Sequence, residues 1–301
     1  MELVRKGKVK EVYQADDETL EFVFTDNISV FDKVIPSSIP YKGETLCRTA
    51  EYWFKLLEKN GIKGHYIERP SSNRMRVKRF DVICDHDDIN TKTANYLIPL
   101  EIVCRHFAAG SVVDRIKNGK TSAEALGFPE GHDVRPGDRL PRPYIEATTK
   151  LEDVDRILDG TEAKRIAGLT DADYREIVDT VLKIDMIISE EAAKKGLIHV
   201  DGKKEFGYNE KRELTVIDTF GTLDEDRWWD LASYEAGRLE DLSKEFVRLH
   251  YRDAGYHAEL MNAREKGLPE PPIPPLPEDI IKRTSDLYVN MFERITGERF
   301  R

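Results

Sequence analysis

Asp201, Lys203 and Glu205 stand two residues apart within residues 196–207, and Asp218 closes the run Leu214-Thr-Val-Ile-Asp218 a turn later. Read as a β-hairpin, such a segment alternates its side chains between two faces, which puts Asp201, Lys203 and Glu205 together. With the turn centred near Lys211, Asp218 on the return strand lies across from 203–205. Two carboxylates bracketing an ammonium make poor core, but they suit magnesium and a polyphosphate, because a hard cation takes oxygen ligands. The competing reading is a solvated sheet edge, since charged side chains are mostly exposed.

Three further groups bear on that choice. Lys8 and Lys10, in Gly7-Lys-Val-Lys-Glu-Val-Tyr13, point the same way on a strand and suit phosphates, with Gly7 allowing close backbone approach. Arg105-His-Phe-Ala-Ala-Gly-Ser111 joins an apolar strand to a helix expected from about Val112. Gly110 and Ser111 at that helix's start, with the Arg105 fork, could hold an anion. Equally, Ser111 could be an N-cap with Asp114 as its capping-box partner. The acidic loop 218–229 follows directly on Asp218 and brings Arg227, while Glu146-Ala-Thr-Thr-Lys150 offers another lysine. The seven histidines are scattered and suggest no metal or triad partner.

The elements that must position these residues are short strands at 9–13, 20–24, 34–35 and 81–84, with a helix at 44–59 carrying Trp53, Phe54, Leu56 and Leu57. Residues 97–103 are apolar around Pro99 and read as the crossing between two lobes. Beyond them, Thr170-Asp-Ala-Asp173 has capping-box form. Tyr174, Ile177, Val178, Val181, Leu182 and Ile188 follow at helical spacing up to a stop at Gly196. A last helix spans 279–296 and ends at Gly297. Six of the nine residues 269–277 are proline, which reads as a stiff extended strap, or alternatively as a ligand for a proline-recognition domain. The whole is α/β in two lobes, the smaller one N-terminal.

Composition narrows the function. The chain has 301 residues, 40% hydrophobic and 35% charged, enough for a substantial core. A net charge of −10 argues against nucleic acid as a partner. No apolar run is long enough to span a membrane. Three cysteines without CxxC spacing argue against a disulfide framework or a zinc site. With no apolar signal-like region at the start, a cytoplasmic location is expected.

The residues then resemble a family. Gly7 to Tyr13, Thr25-Asp-Asn-Ile-Ser29, Asp32, Ile39-Pro40, Lys42-Gly43, Ile98 to Arg105, Gly110-Ser111, Thr148-Thr-Lys150, Asp201-x-Lys203-x-Glu205-Phe-Gly207 and the ending 277–297 are similar to phosphoribosylaminoimidazole-succinocarboxamide synthase (SAICAR synthetase). The resemblance implies that family's two-lobed α/β (α+β) fold, distantly related to protein kinases and ATP-grasp enzymes. An antiparallel β lobe binding ATP would occupy residues 1–98. A larger mixed α/β lobe binding substrate and metal would occupy 99–301, with the strap and last helix at 269–301.

The resemblance also implies a reaction. ATP phosphorylates the carboxylate of carboxyaminoimidazole ribonucleotide (CAIR), and L-aspartate displaces phosphate to form an amide. By resemblance, Lys8, Lys10 and Lys92 hold ATP, with Lys92 placed on the strand before the hinge. Glu205 and Asp218 bind Mg²⁺ and ATP, and Lys203 and Lys150 line the transfer site. Arg105, Ser111 and Arg227 hold the ribonucleotide phosphate, and Asp224 lies near its base or ribose. Expected partners are CAIR, L-aspartate and ATP, with no nucleic acid and no membrane, and a homo-oligomer is left open. The chain departs from the family pattern at Thr219, Leu223, Gly202, Lys204, Ala147 and Thr148. Thr219 stands where a carboxylate is usual, which raises the alternative of a paralogous ATP-dependent amide ligase with another carboxylate or amine.

Overall fold

The computed structural model describes residues 1–152 and 156–301. The chain begins with strands β1 (Glu2–Lys6), β2 (Lys10–Gln14), β3 (Thr19–Phe24), β4 (Asn27–Val30) and β5 (Lys33–Ser38), then helix α1 (Lys42–Lys59) and strands β6 (Tyr66–Ser71) and β7 (Arg74–Lys78). Strand β8 (Tyr96–Phe107), helix α2 (Ser111–Lys117), strands β9 (Arg139–Thr149) and β10 (Ile157–Leu158), and helices α3 (Gly160–Ile166) and α4 (Asp171–Lys194) follow. Then come strands β11 (Leu197–Tyr208), β12 (Leu214–Ile217) and β13 (Asp226–Asp230) and helices α5 (Leu231–Glu235), α6 (Glu245–Asp253), α7 (Tyr256–Glu265) and α8 (Glu278–Thr296).

The first sheet runs β1-β2-β3-β7-β6 and is antiparallel throughout. Phe22 and Phe24 of β3 face α1, whose buried Leu46, Cys47, Ala50, Trp53, Phe54 and Leu57 form one apolar stripe. Helix α1 also packs against α8, which brings the last helix onto the helix that covers the first sheet.

The second sheet runs β10-β9-β8-β11-β12, with β13 also paired to β11. Its centre is the twelve-residue pair β8 and β11. Helix α4 covers one face with Ile177, Val181, Ile184 and Ile188, leaving the opposite face for charged side chains. Residues 97–103 are thus the inside of a central strand. Pro99, which has no N–H to give, falls where the register of β8 against β11 shifts, the place in a sheet that tolerates proline. Thr170 and Asp173 form the reciprocal capping box at the start of α4, and Gly297 takes the left-handed conformation that ends α8.

The β4–β5 hairpin carries Ile28, Val30, Ile35 and Ile39 into a separate cluster with Val247, Tyr251, Leu260, Ile273 and Leu276. The proline segment is extended, with no helix or strand from 268 to 277. Tyr251 Oη donates to the Pro274 carbonyl at 2.6 Å and Tyr256 Oη to that of Pro271 at 3.2 Å. The Leu276 N–H donates to Ser37 Oγ at 2.9 Å. The strap therefore clamps α6 and α7 to the hairpin.

Residues 81–84 differ from expectation. Only Asp81 makes a bridge, to Tyr96, and the chain then leaves the sheet for a short 3-10 turn capped by the Asp85 carboxylate. Strands β1, β6 and β7, too charged to read as core strands, sit at or next to the sheet's edges, where charge blocks unwanted pairing. Among the described residues no helix is long and apolar enough to cross a membrane.

Candidate active site

Alternation along β11 sends Lys204 and Phe206 towards α4, and Asp201, Lys203 and Glu205 to the open face. Glu205 pairs in register with Glu101 of β8. Like charges directly opposite repel, and lysines resolve the conflict here. Lys203 Nζ lies 2.9 Å from Glu101 Oε1 and 3.0 Å from Glu205 Oε1, and Lys150 Nζ, just past β9, lies 2.6 Å from Glu205 Oε2. Asp218 follows β12 with φ at 58°, a left-handed conformation for which aspartate is better suited than most residues. Its carboxylate is ion-paired with Lys10 of the first sheet.

Protonation states follow from these neighbours. Burial would raise the Asp218 carboxyl, but Lys10 and Lys150 hold it well below the usual range. Burial likewise opposes ionisation of Glu205, which Lys150 and Lys203 overcome. Glu101 is pushed up to about 7 by burial and by Glu205, despite Lys203. Lys203 and Lys150 are raised despite burial by the surrounding carboxylates, so both carry their protons at neutral pH. A cavity of about 310 Å³ opens beside this group, walled by Gly7, Lys8, Lys10, Lys150, Glu205 and Asp218, with apolar Val12, Phe22 and Phe80. Lys8 reaches across its rim to Asp32 at 2.6 Å.

The arginines assemble one step along the same strand. Asp201 pairs in register with Arg105 on one side and Arg227 on the other. Its Oδ2 accepts from Arg105 Nη1 at 2.8 Å and Arg227 Nη1 at 2.6 Å. Asp201 therefore orients two guanidinium groups, which corrects the reading that Asp201 and Glu205 bracket Lys203 as one magnesium and polyphosphate site. Arg105 is braced further by Glu146 at 2.9 Å. A second cavity of about 310 Å³ is lined by Arg105, Ser111, Lys203, Arg227, Arg248 and Arg252. Gly110 closes one wall with φ at 60°, and a Cβ there would sit 2.7 Å from an Arg227 nitrogen. Gly110, not Ser111, occupies the N-cap of α2 and makes no side-chain cap bond, so the capping-box reading is corrected. Ser111 Oγ instead lies 3.4 Å from Arg105 Nη2.

Two predicted residues fall elsewhere. Lys92 is exposed in the turn before β8, not on a strand, and lines neither cavity. Asp224 also lines neither. It is buried against Lys42 at 2.8 Å and Lys244 at 3.7 Å, and accepts from Tyr288 Oη of α8. Its own burial would raise its carboxyl, but Lys244 and Lys42 hold it low.

Sequence reasoning missed Glu101, Glu225, Arg248 and Arg252. A lone Glu inside an apolar central strand, and arginines four apart on one face of α6, were the available signals. It also missed the ionic group under β11. Lys204, fully buried, pairs with Asp185 of α4 and lies 3.4 Å from Asp226, which His199 meets at 2.6 Å. His106 joins at 3.2 Å from Asp185, so these two histidines have carboxylate partners that the sequence did not reveal. Gly202 leaves room for the Asp226 carboxylate, which a Cβ would meet at 2.0 Å.

With this geometry the chain can be compared with known proteins. The sequence pattern of SAICAR synthetase matches residues 3–263. The phosphoribosylaminoimidazole-succinocarboxamide synthases of Thermoplasma acidophilum and Thermoplasma volcanium are 49% and 50% identical over 300 residues, covering all of both chains. A solved SAICAR synthase from Saccharomyces cerevisiae, complexed with SAICAR, is 26% identical with a TM-score of 0.76, covering 99% of this chain and 95% of that one. A type-2 SAICAR synthetase in complex with ADP, also 26% identical, superposes with a TM-score of 0.70 over 99% of each chain. These likenesses define an enzyme that forms carbon–nitrogen bonds, a ligase. The chain belongs to the SAICAR synthetase family.

Proposed function

We propose that the two cavities are the halves of one ligase site, in which ATP drives the joining of L-aspartate to CAIR, giving SAICAR, ADP and phosphate in purine biosynthesis. One observation carries this reading: a single strand feeds both cavities, Lys203 lining the arginine cavity and its neighbour on the same face, Glu205, the lysine cavity. The carboxylate of a ribonucleotide whose phosphate the arginines hold and a polyphosphate held by the lysines would meet over that row. The ADP and SAICAR held by the two solved relatives are one co-product and the product of such a reaction.

Lys8 and Lys10 serve the ATP phosphates, and the apolar wall beside them suits a nucleobase. Arg105, Arg227 and Ser111 serve the ribonucleotide phosphate, where fixed forks match phosphate oxygens. Lys150 and Lys203 stay protonated and steady the charge on the group in transfer, so catalysis rests on positioning and electrostatics. Glu205 and Asp218 fit magnesium: both are ionised, bear only acceptor oxygens, and share a wall with the lysines. When bound, the metal would neutralise phosphate charge. Asp224, locked to Lys42 and Tyr288, is better suited to fixing the loop it belongs to than to touching the ribonucleotide.

The direct test is ADP release by purified protein. With no other nucleophile supplied, steady-state release should require both CAIR and L-aspartate, and release that ignores either compound under those conditions would overturn the reading.

A further inference from the structure

Among the described residues, one side chain lines both cavities: Glu225. It is a quarter exposed, and its Oε2 lies 3.3 Å from Lys203 Nζ. Its two neighbours in sequence are buried and anchored. Asp224 is held by Lys42 and Tyr288. Asp226 is held by His199 at 2.6 Å and accepts the Gly221 N–H at 2.8 Å. The backbone at 225 is thereby fixed, with its carboxylate delivered to the junction where the two substrates would meet.

The reaction needs a group there. An amine reaches the site as an ammonium ion, which has no lone pair to attack with. Lys150 and Lys203 are protonated and cannot take its proton. Among the nearby carboxylates, Glu205 and Asp218 face the lysine cavity, Glu101 lines neither cavity, and Asp201 and Glu245 are engaged by arginines.

We propose that Glu225 receives the ammonium of the incoming amine and takes its proton as the amide forms. The inference rests on the ligase reading above. The ammonium gives one proton to the Glu225 carboxylate, which passes it to water. The freed nitrogen lone pair forms the C–N bond to the acyl carbon of the acyl phosphate. The C–O bond to phosphate breaks with its electron pair on the phosphate oxygen, and the second nitrogen proton leaves on the phosphate. This makes Glu225 a catalytic residue for amine transfer alone, with no part in phosphoryl transfer.

Hydroxylamine separates the two half-reactions, because it is neutral at pH 7 and traps acyl phosphates without a base. Glu225→Gln and Glu225→Ala should each slow SAICAR formation about a hundredfold at saturating L-aspartate, the usual scale of a lost general base. Hydroxamate formation from ATP, CAIR and hydroxylamine should persist in both variants, so the ratio of amide to hydroxamate falls by nearly the same factor. Equal loss of amide and hydroxamate would show that Glu225 only sets Lys203, and would overturn the proposal. So would an unchanged amide rate in Glu225→Gln. If the unsubstituted enzyme made neither SAICAR from ATP, CAIR and L-aspartate nor hydroxamate from ATP, CAIR and hydroxylamine, the ligase reading would fall and the proposal with it.

Discussion

Lys10, on the second strand of the first sheet, is ion-paired with Asp218, just past β12 of the second sheet. The contact spans 208 residues of sequence and closes the floor of the lysine cavity. Lys10 also lies over the Phe22 ring, 4.3 Å from its centroid, so its ammonium is held from below while facing the cavity. A bound polyphosphate would therefore meet a lysine and a carboxylate already placed against each other.

Asp218→Asn keeps the size of the side chain and its tolerance of a left-handed backbone, and removes only the charge. Magnesium-dependent ADP release should fall by roughly a hundredfold or more, the scale seen when one electrostatic contact to a transition state is lost. The circular dichroism spectrum should be unchanged. Full retained activity would exclude Asp218 as a metal ligand.

Arg227→Lys tests the arginine cavity. Lysine keeps the charge but loses the fork that spans Asp201 and Glu245. The KM for CAIR should rise about tenfold, from lost bidentate geometry, with the KM for ATP unmoved. A parallel rise in both would mean that Arg227 serves the fold more than the ribonucleotide.

The buried pair under β11 makes a claim about stability. Lys204→Met leaves Asp185 and Asp226 in the core without their ammonium. Breaking such a pair from one side costs about 3–5 kcal/mol. Burial would raise the Asp185 carboxyl, but Lys204 and His199 depress it, so its share of stability is present at neutral pH and fades as acid protonates it. Urea denaturation should show the loss, and adding Asp185→Asn to Lys204→Met should recover part of it. A single variant as stable as the parent would contradict the assignment.

His65 predicts a pH dependence. Burial between Phe22 and Phe54 lowers its pKa from 6.5 to about 4, against the pull of Asp218. A depressed histidine stabilises the folded state above its unfolded value. That stability drains away as the pH falls, because the unfolded chain takes the proton first. Between pH 6.5 and 5 the contribution should drop by roughly 2 kcal/mol. Denaturation midpoints of the parent and of His65→Gln across this range would reveal it, and equal slopes for the two proteins would refute it.

What could be read in the sequence was what a local pattern encodes. Period two on 201, 203 and 205 is visible without knowing any partner, and so are the apolar stripes of α1, α4 and α8. Pairing register is not local. Glu101 could be joined to Glu205 only through the alignment of β8 with β11, and Asp201 could be assigned to the arginines only once β13 was known to lie beside β11. Residues 81–84 have strand composition, but the 3-10 turn at His86–Asp88 and its Asp85 cap take the chain out of the sheet. Lys204 read as a misplaced charge because its partners lie 19 and 22 residues away on other elements.

The Asp224 carboxylate is set by Lys42 at the start of α1, by Lys244 before α6 and by Tyr288 in α8. During synthesis these groups leave the ribosome at widely separated times, with Tyr288 the last. Until then the loop beside Asp224 lacks one of its three holds, even in a nascent chain that already carries both complete sheets. Completion of this loop is thus tied to translation of the final helix, which also brings Tyr288, Met291 and Ile295 into the main core.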